Sequence, residues 1–234
     1  DAAPAAAELR DVRDRLRVRA LAAEADTLDP AKDKAGAETR ATALRAPLMD
    51  ILRDPTSSAS LADLWMNVGA SLGKQLAPEA PADREAYFAA WQQALDGAVA
   101  APKASKGEQV DLWAVKVQLW QAGQPQGKLT AAQAQQVLQT MASVARQTPD
   151  RIERQSVIPS AAYVLALMGQ FDASNQMLEA ELGKREWLAS DEYSLADVNG
   201  FNLAYAMPLS QPHLANDEVT PNIMRWLRAI SVDR

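Results

Sequence analysis

The 234-residue chain is long enough for one helical domain or two small ones, and its 48% hydrophobic content provides the apolar surface for a core. It contains no cysteine, which excludes disulfide scaffolds, CxxC redox centres and cysteine nucleophiles. Its net charge of −6 argues against nucleic-acid binding, which depends on clustered basic residues. No apolar stretch approaches the roughly 20 residues of a membrane-spanning helix, so we expect a soluble chain without membrane insertion.

Residues 5–25 have the pattern of a helix with one narrow apolar stripe. Leu9, Val12, Leu16 and Ala20 recur at helical spacing, and arginine and aspartate fill most positions between them. We expect this stripe to pack against the core and the alternating charges to form a solvated face.

Three further helices are predicted before residue 100. The apolar spacing within residues 41–52 predicts the second helix, which Pro47 should delay, kink or split. Ser60 lies three residues before Asp63, and this pair resembles the capping box that begins a third helix. The fourth helix carries apolar side chains at helical spacing, namely Tyr87, Phe88, Trp91, Leu95 and Val99.

Residues 110–120 fit two kinds of secondary structure. Val110, Trp113, Val117 and Trp120 lie on one helical face, whereas residues 115–119 alternate as a strand would. We favour the helix, because a single strand without a partner would leave its backbone groups unsatisfied.

A break rich in glycine and proline, from Gly123 to Gly127, precedes a further capping-box pattern at Thr130 and Gln133. The apolar periodicity resumes after it and continues with few interruptions to the end of the chain. Together these patterns predict an all-α protein, an irregular array of nine to eleven helices.

Residues 158–182 have the spacing of one tetratricopeptide-like hairpin, with two helices joined at Gly169-Gln170-Phe171. Three segments, at 150–158, 161–163 and 178–182, resemble the helical region of exported bacterial thioredoxin-family proteins. This resemblance covers about residues 80–183. It implies tetratricopeptide-like hairpins whose concave side binds a protein or peptide, and a periplasmic location. No thioredoxin domain and no CxxC motif accompany it, so it implies no redox role.

The segment from Trp187 to Val198 resembles the N-capping box of the helical domain of glutathione transferases. Ser194 is the predicted N-cap, and the Asp197 carboxylate is expected to accept a hydrogen bond from the Ser194 amide. The resemblance covers roughly residues 186–232 and continues through Phe201, Asn202, Tyr205, Pro208, Thr220, Pro221, Trp226 and Ile230.

In that family the helical domain shapes one wall of a hydrophobic substrate site, so the resemblance implies Tyr205 and Trp226 as wall residues. Their spacing from Phe201 and Leu227 favours ordinary core positions instead. The family's thiol-activating residues belong to an N-terminal thioredoxin-like domain, whose alternating strands and helices are not predicted within residues 1–130.

The two resemblances divide the chain into an N-terminal helical region at 1–128, tetratricopeptide-like hairpins at 129–183 and transferase-like helices at 184–234. They suggest a mosaic joined near residues 178–186. The sequence leaves open whether such a chain is natural, a fragment or designed.

The function expected first is a non-catalytic helical interaction module that binds a protein or peptide partner and needs no cofactor. The alternative is a cytoplasmic glutathione transferase relative, for which glutathione would be required. No catalytic residue is assigned. His213, near Asp217 and Glu218, is a single imidazole in a proline-flanked loop, and we expect a surface residue there rather than a metal ligand.

Overall fold

The computed structural model describes residues 2–101, 104–148, 151–189 and 192–232, and within these ranges it contains helices and no strand. The all-α prediction is confirmed. Ser190 and Asp191, which belong to the transferase-like segment, lie outside the described residues. None of the helices in the described ranges is long and apolar enough to cross a membrane.

The chain forms two compact units, residues 1–128 and 129–234. The N-terminal unit contains α1 (Ala2–Ala25), α2 (Lys34–Arg53), α3 (Pro55–Ser60), α4 (Ala62–Leu64), a π-helical turn (Trp65–Gly69), α5 (Ala70–Gln75), α6 (Pro81–Val99) and α7 (Lys106–Gly123). The C-terminal unit contains α8 (Ala131–Gln147), α9 (Arg151–Leu167), α10 (Phe171–Leu182), α11 (Leu195–Ala204), α12 (Met207–Ser210) and α13 (Pro221–Val232). If the uninterrupted segment 62–75 counts as one helix, the described residues hold ten helices of ten or more residues, within the predicted range.

The core of the N-terminal unit is built around two tryptophans. Trp65 and Trp91 are fully buried and meet edge to face, with ring centroids 5.1 Å apart. Gly73 lets the segment beside them approach α7, because a Cβ at this position would lie 2.5 Å from a methyl carbon of Leu119.

The apolar stripe predicted for α1 is wrong. Leu9, Val12 and Leu16 are 71%, 53% and 62% exposed, and Ala20 is exposed as well. The buried row consists of Asp14, Val18, Leu21 and Ala25. This row also has helical spacing, but its first member is an aspartate, so apolar periodicity selected the neighbouring stripe. The buried Asp14 carboxylate accepts a hydrogen bond from Arg13 Nε at 2.8 Å.

Two of the three predicted capping boxes, at Ser60 and at Thr130, had different outcomes. Thr130 and Gln133 form theirs at the start of α8, as predicted. The box at Ser60 and Asp63 is wrong, because α4 begins after Leu61 without a side-chain cap. The Asp63 carboxylate instead accepts a hydrogen bond from Arg15 of α1 at 2.7 Å, so a tertiary ion pair replaces the local cap.

The backbone tests two other local predictions. Pro47 lies inside α2, which runs from Lys34 to Arg53 as one helix, so this proline neither delays nor splits the helix. Residues 110–120 belong to α7, so the helix that we favoured there is confirmed over the strand.

In the C-terminal unit one apolar core extends from α9 to α13. It includes Ile158 of α9, Leu178 of α10, Leu188 of the following loop and Trp226 of α13. The core therefore has no break at residue 183, where the two resemblances meet. The turn between α9 and α10 contains Gly169 with φ +74°, a left-handed conformation that glycine adopts without strain.

The start of α13 is capped by a residue distant in sequence. The Glu179 carboxylate of α10 accepts hydrogen bonds from the backbone N–H groups of Asn222 and Ile223, each at 2.9 Å. A carboxylate is favourable there because the first N–H groups of a helix have no intrahelical partner.

Candidate functional site

The predicted capping-box residues Ser194 and Asp197 lie together at the start of α11. The Ser194 backbone N–H donates to Asp197 Oδ2 at 2.9 Å, and Ser194 Oγ accepts from the Ala196 N–H at 3.3 Å. Tyr193, just before the cap, packs edge to face against Trp187 with centroids 5.3 Å apart. This first turn of α11 is held by local contacts on both sides.

The Asp197 carboxylate also binds parts of the chain that the sequence analysis did not connect to it. Its Oδ1 accepts from the Leu188 backbone N–H and from the Trp226 indole N–H, both at 2.9 Å. Ser194 Oγ adds a fourth hydrogen bond, to Oδ2, at 3.0 Å. Asp197 is fully buried, so one carboxylate joins a loop, α11 and α13.

The two predicted wall residues occupy different environments. Trp226 is fully buried in the core, where its indole donates to Asp197. Tyr205 is 59% exposed and stacks on Phe201 with ring centroids 5.7 Å apart. Neither side chain lines the grooves described below.

An open groove of about 390 Å³ lies between α9 and α11. We call it the Tyr163 groove. It is lined by Pro159, Ser160, Tyr163, Asn199, Asn202 and Leu203. Its volume falls within the range of about 300–1,000 Å³ that is usual for small-molecule sites.

The Tyr163 groove combines apolar surface with polar groups that the fold does not use. Tyr163 is 46% exposed. Within the described part of the chain, its hydroxyl and the amides of Asn199 and Asn202 make no hydrogen bond. The two asparagines are three residues apart on α11, so they share one helical face. An apolar ligand with a polar end can thus be both buried and oriented here.

Sequence reasoning did not identify this groove. Pro159 lies inside α9, and a proline at such a position removes a backbone hydrogen bond of the helix. The useful signal was the pair of amides at i and i+3 on a helix that also carries apolar residues.

No group of three or more histidine, aspartate or glutamate residues that could hold a metal ion occurs among the described residues. His213 is exposed. Asp217, near it in sequence, forms an ion pair with Arg228 at 2.8 Å. That hydrogen bond lowers the pKa of Asp217.

Comparison with protein-family models gives a match in the C-terminal unit. The family model described as the glutathione S-transferase C-terminal domain matches residues 141–232. The matched range begins in α8, ends with α13 and contains the Asp197 hydrogen-bond network and the Tyr163 groove. No curated protein and no solved structure gives a significant match.

The comparisons support the transferase resemblance and extend it toward the N-terminus, from residue 186 to residue 141. They give no support to the tetratricopeptide-like interpretation of residues 80–183, nor to its implied periplasmic location.

Proposed function

We propose that the C-terminal unit is a transferase-like helical domain that binds apolar small molecules in the Tyr163 groove. Of the two functions expected from the sequence, this is the alternative, a glutathione transferase relative whose helical domain forms part of a hydrophobic substrate site. The observation that carries it is the position of the groove within residues 141–232, the range that matches the family model.

The fold of the N-terminal unit gives no basis for assigning glutathione activation to this chain. The transferase resemblance implies that glutathione is activated by a thioredoxin-like domain. The described part of residues 1–128 contains helices and no strand, so it does not build such a domain. We therefore propose ligand binding by the C-terminal unit and assign no thiol-activating residue, and we place the protein in the cytoplasm with the transferase relatives.

Fluorescence titration with N-phenyl-1-naphthylamine, a neutral apolar dye, tests the groove directly. We expect saturable binding that Tyr163→Ala weakens about three- to tenfold, since this change removes one aromatic wall. Asn202→Ala should have a smaller effect, because the dye has only one polar N–H group. Tyr205→Ala is the matched control: the same substitution at an exposed tyrosine of the same unit, outside the groove.

Two results would contradict the proposal. One is the absence of saturable dye binding. The other is equal weakening by Tyr163→Ala and Tyr205→Ala, which would place the dye on the outer surface of α11. A parallel assay of glutathione conjugation to 1-chloro-2,4-dinitrobenzene determines whether thiol transfer accompanies binding, and we expect no rate above that of the uncatalysed solution reaction.

A second candidate function, the interaction module, is favoured by three exposed apolar side chains in or next to α11 and α12. Leu195 is 77% exposed, Leu209 is 89% exposed and Tyr205 is 59% exposed. A contiguous patch of such side chains is typical of a surface that a protein partner covers, so this function requires the three to be covered together. If this function applies, Leu195→Ser and Leu209→Ser will reduce association with the partner and leave dye binding in the Tyr163 groove unchanged.

A further inference from the structure

A second groove in the C-terminal unit lies between α8, α9 and α10 and has a volume of about 470 Å³. We call it the Glu181 groove. Small side chains on α8 and α10, including Ala142 and Ala180, leave this space open. Leu138, Ile158 and Met177 provide apolar walls. The groove shares no lining residue with the Tyr163 groove.

One end of the Glu181 groove carries an excess of positive charge. The Glu181 side chain is only 3% exposed and forms ion pairs with Arg154 and Lys184, which line the groove, and with Arg185, which does not. One carboxylate thus faces three cations. Burial alone would raise the pKa of Glu181, but the hydrogen bonds and charges of Arg154 and Lys184 outweigh it and hold the pKa below its ordinary value.

The cations at this end differ in how far the fold already uses them. The fold already uses the Arg154 guanidinium, because besides its ion pair with Glu181 it donates to the carbonyl oxygens of Ala145 and Thr148, at 2.8 and 2.6 Å. Lys184 is 58% exposed and uses one of its N–H donors on Glu181. Arg146, an exposed residue of the groove lining, makes no hydrogen bond or ion pair within the described part of the chain. Lys184 and Arg146 therefore retain donors for a ligand.

This arrangement selects for one chemical class of ligand. The chain as a whole carries a net charge of −6, so a local excess of cations beside an apolar groove opposes the overall sign. A metal cation is repelled there, and a neutral apolar molecule leaves the charges unused. A carboxylate with an apolar tail satisfies both parts, because its tail fills the apolar space and its head accepts charge-assisted hydrogen bonds from Arg146 and Lys184.

We propose that the Glu181 groove binds amphipathic monocarboxylates of the fatty-acid class. The site is separate from the Tyr163 groove, so it does not depend on the function proposed above. Its head-group ligands are Arg146 and Lys184, and Arg154 is a positioning residue that holds Glu181.

Isothermal titration calorimetry of the whole chain with decanoate, below its micelle concentration, tests the proposal. We expect saturable binding, weakened about three- to tenfold by Arg146→Gln and by Lys184→Gln, the size expected for loss of one partly exposed charge-assisted hydrogen bond. Arg10→Gln is the matched control, since it makes the same charge change at an exposed arginine of α1. Decanol, which has the same tail and no charge, should bind more weakly than decanoate.

Two further variants locate the ligand. Ala142→Phe should abolish decanoate binding by filling the groove, and circular dichroism confirms that this variant folds. Tyr163→Ala should leave decanoate binding unchanged, although it weakens dye binding in the other groove. The proposal is overturned if decanoate shows no saturable binding, or if Arg10→Gln weakens it as much as Arg146→Gln. It is also overturned if Ala142→Phe binds normally or if Tyr163→Ala weakens decanoate binding.

Discussion

Removing the Asp197 carboxylate should destabilise the C-terminal unit more than removing its capping partner Ser194. From the sequence alone, a capping box predicts the reverse order, because the acidic residue supplies only the return hydrogen bond. The structure changes that expectation, since Asp197 Oδ1 also accepts from the buried Leu188 N–H and Trp226 indole N–H.

The magnitude follows from the groups left without partners. Ser194→Ala removes a helix cap, which costs about 0.5–2 kcal/mol. Asp197→Ala leaves two buried donors, on Leu188 and Trp226, unsatisfied at about 1–3 kcal/mol each, and it also removes the return bond to Ser194. The two donors alone give about 2–6 kcal/mol for Asp197→Ala, a large part of the roughly 5–15 kcal/mol by which a domain is stable.

Denaturant unfolding of wild type, both single variants and the double variant measures these differences. Hydrogen exchange read on peptides from residues 192–205 assigns the loss to the C-terminal unit. The double variant should be less destabilised than the sum of the singles, because Ser194 and Asp197 share two hydrogen bonds. Asp217→Ala is the control, as its solvent-exposed ion pair with Arg228 should contribute little or nothing measurable. A midpoint shift for Asp197→Ala no larger than that for Ser194→Ala would refute the reasoning.

Three other expectations concern packing and charge. Gly200→Ala should cost about 1–3 kcal/mol in urea unfolding, because its Cβ would overlap Leu188 Cδ1. Gly97→Ala places a Cβ with nothing within 4 Å, so it should leave the free energy of unfolding unchanged or raise it. The difference in stability between wild type and Glu181→Gln, measured by thermal melts across pH, should have its largest value above about pH 4.5. It should shrink as pH falls through the lowered pKa of Glu181 in the folded state. A difference that stays constant from pH 6 to 3 would contradict this. Lys116 is buried, with its Nζ 4.1 Å from the Trp113 ring centroid, and it pairs with the half-exposed Asp96 carboxylate, so Lys116→Ala should cost about 2–4 kcal/mol in urea unfolding by opening a cavity and breaking this pair. Lys116→Met keeps the buried volume and leaves a carboxylate that water already reaches, so it should cost less, about 1 kcal/mol.

Local signals in the sequence predicted the elements well and their tertiary partners poorly. The Thr130 and Ser194 caps form as their spacing indicates, because a capping box depends on residues three positions apart. The Ser60 pattern has the same spacing and fails, because Arg15 of α1 competes for the Asp63 carboxylate. Arg15 is 48 positions away, so no local pattern includes it.

The same limit applies to the candidate sites. The predicted buried face of α1 is wrong because the row that packs includes Asp14, and a pattern of apolar residues does not predict that a carboxylate is buried. The Tyr163 groove depends on the packing of α9 against α11, which periodicity within either helix does not reveal. Sequence resemblance identified the transferase-like C-terminus, and only the structure showed which of its side chains line a groove.

The cap that Glu179 supplies to α13 has a consequence for where the chain tolerates change. The first N–H groups of α13 are held by a residue more than forty positions earlier, so the connecting loop does not itself determine where the helix begins. Extra residues inserted in the exposed turn near His213 would lengthen that connection without moving the start of α13. Circular permutation or a reporter insertion would therefore be better placed in this turn than between Leu188 and Ser194, where the Asp197 carboxylate fixes the backbone at both ends.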